Sequence, residues 1–221
     1  MTKEIVAADI PEPPIDCELC PRLVDYRRQN QEAYPDWFNG AAPSFGPKNA
    51  SLLIVGLAPG LRGANRTGRS FTGDDASKFL FDTLGKFGFS NNKYDARADD
   101  GLKLKQVMIT NAVRCVPPQN KPIAAEIKAC RPYLIKRIDT LPKLRAILCL
   151  GRVAHYSTLA TLGLKQKDAP FSHNANHAVA GRPFTLFDSY HCSRYNTNTR
   201  RLTAEMFADV FAKIRTHLDV K

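Results

Sequence analysis

The sequence lacks the features that mark membrane and exported proteins. No apolar run approaches the ~20 residues that a membrane-spanning helix requires, so we expect no transmembrane segment. The stretch from Met1 to Asp16 has no apolar core and contains Pro11, Pro13 and Pro14, which is unlike a secretory signal peptide. We also find no internal repeat and no low-complexity tract. These absences predict a globular, cytoplasmic protein without a targeting signal.

Acidic residues are scarce relative to basic ones. The chain of 221 residues has 21 Asp and Glu against 32 Lys and Arg, which gives a formal net charge of +11 at pH 7. That excess favours a polyanionic partner such as nucleic acid over a neutral metabolite. The apolar fraction of 43% argues against disorder, and the length fits one domain with a substantial core. We expect a loose N-terminal arm over residues 1–14 and a single domain over residues 15–221.

One stretch combines a buried strand with a long glycine-rich loop. The apolar run from Leu52 to Val55 is bounded by turn residues, which predicts a strand buried on both faces. The loop that follows contains five glycines and three arginines and leads into an amphipathic helix. Open α/β sheets place ligand sites at such connections, and arginine favours an anionic ligand. An ordinary connection is the alternative, but the length and composition of the loop favour a functional site.

Apolar runs and helical periodicities alternate along the rest of the chain. Strands are predicted at residues 52–57, 106–112, 145–150 and 184–188. Helices are predicted at residues 75–87, after Pro122, at residues 152–162 and at residues 203–217. This alternation predicts an α/β fold with a mostly parallel sheet and helices on both faces.

The six cysteines are expected to be reduced thiols or metal ligands, because a cytoplasmic protein rarely forms disulfides. Cys17 and Cys20 form a C-x2-C pair followed by proline, typical of a metal knuckle, whereas Cys115 and Cys130 lie far along the chain. If the fold brings all four together, they suit either a tetrahedral zinc or an iron–sulfur cluster, and the spacing does not choose between them. Cys130 also falls on the apolar stripe of its helix, so a core thiol is the alternative there.

Four motifs and the cysteine layout resemble a known family. The motifs lie at residues 56–60 (GLAPG), 65–74 (NRTGRSFTGD), 110–122 (TNAVRCVPPQNKP) and 190–197 (YHCSRYNT). Together they resemble the uracil-DNA glycosylase superfamily, and within it family 5, the B-type iron–sulfur enzymes. The resemblance covers nearly the whole chain after the N-terminal arm. It implies a three-layer α/β/α fold with a central four-stranded parallel sheet.

The resemblance also implies an activity, a cofactor and a partner. The activity is hydrolysis of the N-glycosidic bond of uracil, and of deaminated purines such as hypoxanthine, in double-stranded DNA. The damaged base would be flipped into a pocket, and an abasic site would remain. Cys17, Cys20, Cys115 and Cys130 would hold a structural [4Fe-4S] cluster, with zinc as the weaker alternative. The protein would act as a nucleoid-associated monomer.

Three residues are implied to be catalytic: Asp74, Asn111 and His191. His191 would donate a hydrogen bond to the base oxygen that gains charge as the bond breaks. Asn111 would pair with a base edge or hold the attacking water, and a strand-end Asx turn is the alternative. Asp74 would orient that water or stabilise the sugar cation, and the alternative is a plain N-cap. Ala58 stands where other families of the superfamily carry an activating Asp or Asn.

The resemblance further implies contacts to the base and to the DNA backbone. Phe71 would stack on the flipped base, and the backbone of residues 56–60 would approach it closely. The substrate-binding residues are therefore Gly56, Ala58, Gly60, Phe71, Asn111 and His191. The DNA-binding residues, most of them cations that suit phosphate, are Arg62, Arg66, Arg69, Arg194, Tyr195 and Arg200. Arg194 and Tyr195 follow His191, where relatives insert a side chain into the gap left by the flipped base.

Two other functions stay open on the sequence alone. One is a non-catalytic nucleic-acid-binding module stapled by a metal, which would not need His191 or Asn111. The other is an enzyme for a free nucleotide, although the loop lacks the G-x4-G-K-[ST] pattern of a phosphate-binding loop. His173 and His177 are spaced like a helical metal pair but lie in a poor helix, so we expect both at the surface.

Overall fold

Five short strands form one sheet at the centre of the computed structural model, which describes residues 11–220. They are β1 (Leu52–Gly56), β2 (Val107–Asn111), β3 (Ala146–Leu150), β4 (Asn176–Ala178) and β5 (Thr185–Ser189), in the spatial order β2-β1-β3-β5-β4. The first four in this order are parallel, and β4 pairs antiparallel with β5. Every residue of β1, β2 and β3 is buried, as expected for strands covered on both faces.

Helices cover both faces of the sheet. They are α1 (Pro21–Ala33), α2 (Ala64–Thr67), α3 (Asp75–Lys86), α4 (Ala124–Asp139), α5 (Arg152–Thr161), α6 (Arg194–Asn198) and α7 (Ala204–Asp219). α1 begins on a proline, whose missing N–H costs no helical bond at that position. α7 begins after Thr203, whose hydroxyl accepts the N–H of Met206. None of the helices within residues 11–220 has the length and apolarity that crossing a membrane requires.

Successive side chains of β1 enter two separate cores. Leu52 and Ile54 pack in a cluster that includes residues of α3 and α7. Leu53 and Val55 pack in a second cluster with residues of α4 and α5. Because side chains alternate across a strand, each face of the sheet thereby gains its own helical layer. The predicted α/β/α fold with four parallel strands is confirmed.

The sequence did not reveal β4 or the short helices α2 and α6. β4 has three residues with exposed or half-buried side chains, so no apolar alternation marks it. It forms because the Asn174 N–H donates to the Asp188 carbonyl and the Asp188 N–H donates to the Ala175 carbonyl. α2 and α6 have four and five residues, which is too short to show a helical period.

The beginning of the described chain is fixed by ion pairs. Residues 1–10 of the predicted arm lie outside the described residues, but Glu12 binds the guanidinium of Arg114 at 2.8 Å and that of Arg137. Arg114 is only 1% exposed, and it also donates to the Ser44 hydroxyl. A buried guanidinium needs such partners, because an uncompensated buried charge is strongly destabilising. Glu12 therefore ties the segment that precedes Cys17 to the end of β2.

Candidate active site

A cavity of about 600 Å³ opens at the edge of the sheet where β1, β2 and β5 end. This is the position at which open α/β sheets place their ligands. Loops from three separate parts of the chain meet there. Six of the residues that line it were expected from the motifs, namely Ala58, Gly60, Phe71, Asp74, Asn111 and His191.

Gly56 allows the cavity to be built tightly against the end of β1. A Cβ atom at this position would lie 2.4 Å from Asn111 Oδ1 and 2.8 Å from the Phe71 ring. Any side chain here would therefore displace both groups. Asn111 is 2% exposed, and its Oδ1 has no hydrogen-bond partner within residues 11–220. Buried polar atoms are normally paired, so an unpartnered oxygen is an exception of the kind that functional sites contain.

Phe71 is held in a backbone conformation that aromatic residues rarely adopt. Its φ is +53°, its side chain is mostly buried, and its ring centroid lies 6.0 Å from that of His191. A bulky residue with positive φ is strained, and such strain collects at functional sites. The turn places the ring in the cavity wall, opposite the imidazole.

Asp74 is the N-cap of α3 and also lines the cavity. Its Oδ1 accepts the Ser77 N–H at 3.1 Å as the N-cap of α3. Its Oδ2 faces the opposite way, because a Cβ on Gly63 would lie 2.6 Å from it and one on Gly60 would lie 3.2 Å from it. Capping therefore fixes the carboxylate while one oxygen stays at the cavity wall.

His191 follows β5 and borders the cavity with a neutral imidazole. Burial lowers the pKa of His191, and the Asp74 carboxylate acts in the opposite direction. The ring is therefore uncharged at neutral pH and carries one N–H donor. The Asn196 side chain donates to the His191 carbonyl at 2.8 Å, which holds the loop in place.

The motif analysis missed several lining residues, of which Asn120 is the most informative. It lies in the 3-10 turn Pro118–Asn120 and has a φ of +56°. Asparagine tolerates this left-handed region better than most residues. The only signal was its place inside the matched motif 110–122, and nothing local showed that the turn folds back over the cavity. Leu57 and Ser193 also line it.

Most of the expected DNA-binding residues are exposed around this edge. Arg62 and Arg194 line the cavity, and Tyr195 is 71% exposed at the start of α6. Arg66 and Arg200 are also exposed.

The structure contradicts the expectation that Arg69 binds DNA. Its guanidinium is buried and donates to both carboxylate oxygens of Asp100 at 2.7 Å. It also lies 5.1 Å from the Phe45 ring centroid. With its charge neutralised inside the protein, Arg69 supports the loop that carries Phe71 and has no surface from which to bind phosphate.

The four candidate ligand cysteines converge on one small cavity. Cys17 and Cys20 come from the segment at the start of α1, Cys115 follows β2, and Cys130 lies in α4. Burial and the neighbouring cysteines raise the pKa of Cys20 to about 11 and that of Cys115 to about 12. Such a thiol set ionises only beside a positive charge, so the donor set fits a thiophilic metal centre.

Another buried group lies between β3, α5 and β5. The ligand atoms of Cys149, His155 and Asp188 lie within 4.8 Å of one another, so the group could hold a metal ion. Hydrogen bonds already use most of these atoms. Asp188 binds His155 Nδ1 at 2.7 Å and His177 Nε2 at 3.1 Å, and His155 Nε2 donates to the Ala169 carbonyl at 2.8 Å.

Comparisons with known proteins identify the family of the chain. The profile of the family described as "Uracil DNA glycosylase superfamily" matches residues 43–215. A type-5 uracil-DNA glycosylase of Thermus thermophilus is 42% identical over 205 residues, covering 90% of this chain and 92% of that protein. One from Pyrobaculum aerophilum is 39% identical, covering 90% and 88%. A type-4 uracil-DNA glycosylase of Sulfurisphaera tokodaii is 30% identical, covering 91% and 81%. The chain belongs to the uracil DNA glycosylase superfamily.

Proposed function

We propose that this protein is a monofunctional DNA-repair glycosylase that hydrolyses the N-glycosidic bond of uracil in duplex DNA. The observation that carries the proposal is the cavity in which Asn111, with its unpartnered Oδ1, lies near Phe71 and His191. An aromatic ring, an amide and a neutral imidazole are the groups that recognise a planar, polar base. The similarity to type-5 uracil-DNA glycosylases over about nine-tenths of the chain supports the same reaction.

The recessed position of the cavity supports a reaction with base flipping. A base within a duplex is stacked and paired, so its glycosidic bond cannot reach a recessed site. The nucleotide must rotate out of the helix, and its base then enters beside Phe71. Tyr195, the exposed aromatic residue of α6, is the side chain we assign to the gap in the stack. Arg62, Arg66, Arg194 and Arg200 would bind the flanking phosphates.

The reaction requires stabilisation of opposite charges. As the bond between C1′ and the base nitrogen breaks, positive charge develops on the sugar and negative charge on the base. The neutral His191 N–H donates to the charged base oxygen, and the Asn111 amide holds a base edge. Water adds at C1′ and loses its proton, and the base leaves with a proton. We assign to the Asp74 oxygen at the cavity wall the role of orienting that water or of stabilising the sugar cation.

Ala58 has a small side chain where other families of the superfamily carry Asp or Asn, and this favours a wider range of substrates. This residue lines the cavity, and its small size leaves room for a base larger than a pyrimidine. We therefore propose that deaminated purines such as hypoxanthine are also released. We also propose that the protein acts as a monomer.

The four converging cysteines are proposed to hold a structural [4Fe-4S] cluster. When bound, it supplies a cross-link between distant segments rather than a reacting group. Cys115 lies four residues after Asn111, and the Ala112 N–H donates to the Gly56 carbonyl. A cross-link at Cys115 would therefore steady the end of β2 that carries Asn111.

The proposed activity is tested with a duplex that contains one uracil. We expect the purified protein to release the base and to leave a site that alkali cleaves, and to do the same on a hypoxanthine duplex. A thymine duplex is the matched control and should stay intact. No release from the uracil duplex by protein with intact cluster absorbance would favour a non-catalytic binding module. A preference for a free nucleotide would favour a nucleotide enzyme.

Replacing Cys130 by alanine is expected to remove bound iron and its broad visible absorbance, because one of four thiolate ligands is lost. Metal analysis and absorbance of the purified protein measure this. Cys149→Ala is the control and should keep both, since Cys149 lies in a separate buried group. Retention of iron by Cys130→Ala would contradict the ligand assignment, and zinc in place of iron would contradict the cluster.

A further inference from the structure

The loop that presents His191 is held by a second histidine outside the cavity. The backbone N–H of Tyr190 donates to His173 Nδ1 at 3.2 Å. We propose that His173 is a positioning residue for His191, because this hydrogen bond fixes the peptide between Ser189 and Tyr190, one residue before the proposed catalytic imidazole. The inference rests on the proposed function, since His191 is catalytic only if that function holds. It also replaces the expectation that His173 and His177 are surface residues.

The imidazole ring of His173 also contacts the side chain of Tyr190. The His173 ring stacks on Tyr190 with centroids 4.9 Å apart and an interplanar angle of 16°. The Arg201 guanidinium lies 4.9 Å from the same tyrosine centroid. The Ser189 hydroxyl donates to the Tyr190 carbonyl at 2.9 Å. Both the backbone and the side chain of Tyr190 are thus constrained one residue before His191.

The segment that carries His173 is itself anchored to β5. His177 Nε2 lies 3.1 Å from Asp188 Oδ2, and His155 Nδ1 lies 2.7 Å from Asp188 Oδ1. The backbone of residues 174–175 pairs with Asp188 as well. Asp188 is fully buried, so these bonds lie in a low dielectric and are strong. The segment that carries His173 is therefore held rigidly against β5.

The hydrogen bond requires an unprotonated Nδ1. Because the Tyr190 N–H is the donor, Nδ1 must offer its lone pair, and the proton of the neutral ring is on Nε2. Burial lowers the pKa of His173, and Lys213 acts in the same direction, whereas Asp209 opposes it. The acceptor form is therefore the one present at neutral pH. Protonation at acidic pH would put a hydrogen on Nδ1. Two donors, Nδ1–H and the Tyr190 N–H, would then face each other, and the hydrogen bond would be lost.

Two substitutions distinguish the contribution of the Nδ1 acceptor from that of the stacked ring. His173→Asn keeps an acceptor near the position of Nδ1, and His173→Phe keeps the stacked ring but has no acceptor. We expect His173→Phe to slow single-turnover uracil release by about 10–100-fold, since small misplacements of a reacting group have effects of this size. Its affinity for the duplex should not change. The rate of His173→Asn should lie within about threefold of the wild-type rate. Below about pH 6, the rate of His173→Asn should fall less than the wild-type rate, because asparagine does not become protonated.

Exchange of the Tyr190 amide hydrogen, followed by NMR, provides a readout independent of activity. We expect faster exchange in His173→Phe and wild-type exchange in His173→Asn. Equal rates for His173→Phe and wild type, or a protected Tyr190 amide in His173→Phe, would overturn the proposal. If His173→Phe does not fold, a His173→Asn protein that is slow and unprotected would overturn it equally. Failure of the proposed function would appear separately, as wild-type protein that releases no base.

Discussion

Replacing His191 by alanine is expected to slow uracil release by about 10²–10³-fold, the usual loss when one donor to a developing oxyanion is removed. The imidazole borders the cavity and is neutral at physiological pH because burial lowers its pKa. In the proposed reaction, its N–H donates to the base oxygen on which negative charge develops. Single-turnover release from a uracil duplex, followed by alkali cleavage of the abasic product, measures the effect.

A remote histidine provides the control for this experiment. His217 lies in α7, where its Nε2 contacts the Arg145 carbonyl, and it is not among the cavity residues. His217→Ala should release uracil at close to the wild-type rate. If His191→Ala retained more than about a third of the wild-type rate, the donor role would be wrong. Duplex affinity should stay the same in both variants, because the donor is used mainly in the transition state.

Replacing Asp100 by alanine is expected to destabilise the protein by about 3–5 kcal/mol, because it leaves the buried Arg69 guanidinium without its counter-ion. The Asp100 side chain is fully buried, and both of its oxygens accept from Arg69 at 2.7 Å. Denaturant unfolding of the purified variant measures the loss. Asp99→Ala is the matched control, since Asp99 is 82% exposed, and should change stability by less than about 0.5 kcal/mol.

The same ion pair predicts a pH dependence. Hydrogen bonds and charge from Arg69, together with backbone donors, outweigh burial and hold the pKa of Asp100 well below its usual range. A carboxyl with a lowered folded pKa stabilises the protein above its unfolded pKa of about 4 and loses that contribution as the pH falls. Wild type should therefore lose more stability than Asp100→Ala between about pH 4 and pH 2. An equal loss in both would contradict the pairing.

Local sequence determined the fold class and most of the cavity. Apolar runs such as 52–55 are long enough for a strand and too short for a helix, so they located the parallel strands. The resemblance carried by four motifs singled out Phe71, Asn111 and His191. Apolar runs and motifs are continuous in the chain, so the sequence displays them directly.

Only the tertiary structure decided what each polar side chain does. Arg66 and Arg69 lie three residues apart in the same loop, yet one is exposed and the other is buried on Asp100, 31 residues away. The sequence predicted His173 at the surface, whereas in the structure it contacts Tyr190, 17 residues later in the chain. Burial and pairing depend on contacts between distant segments, and no local pattern encodes them. The motifs therefore named part of the cavity lining, and tertiary contacts decided which polar side chains are buried, paired or exposed.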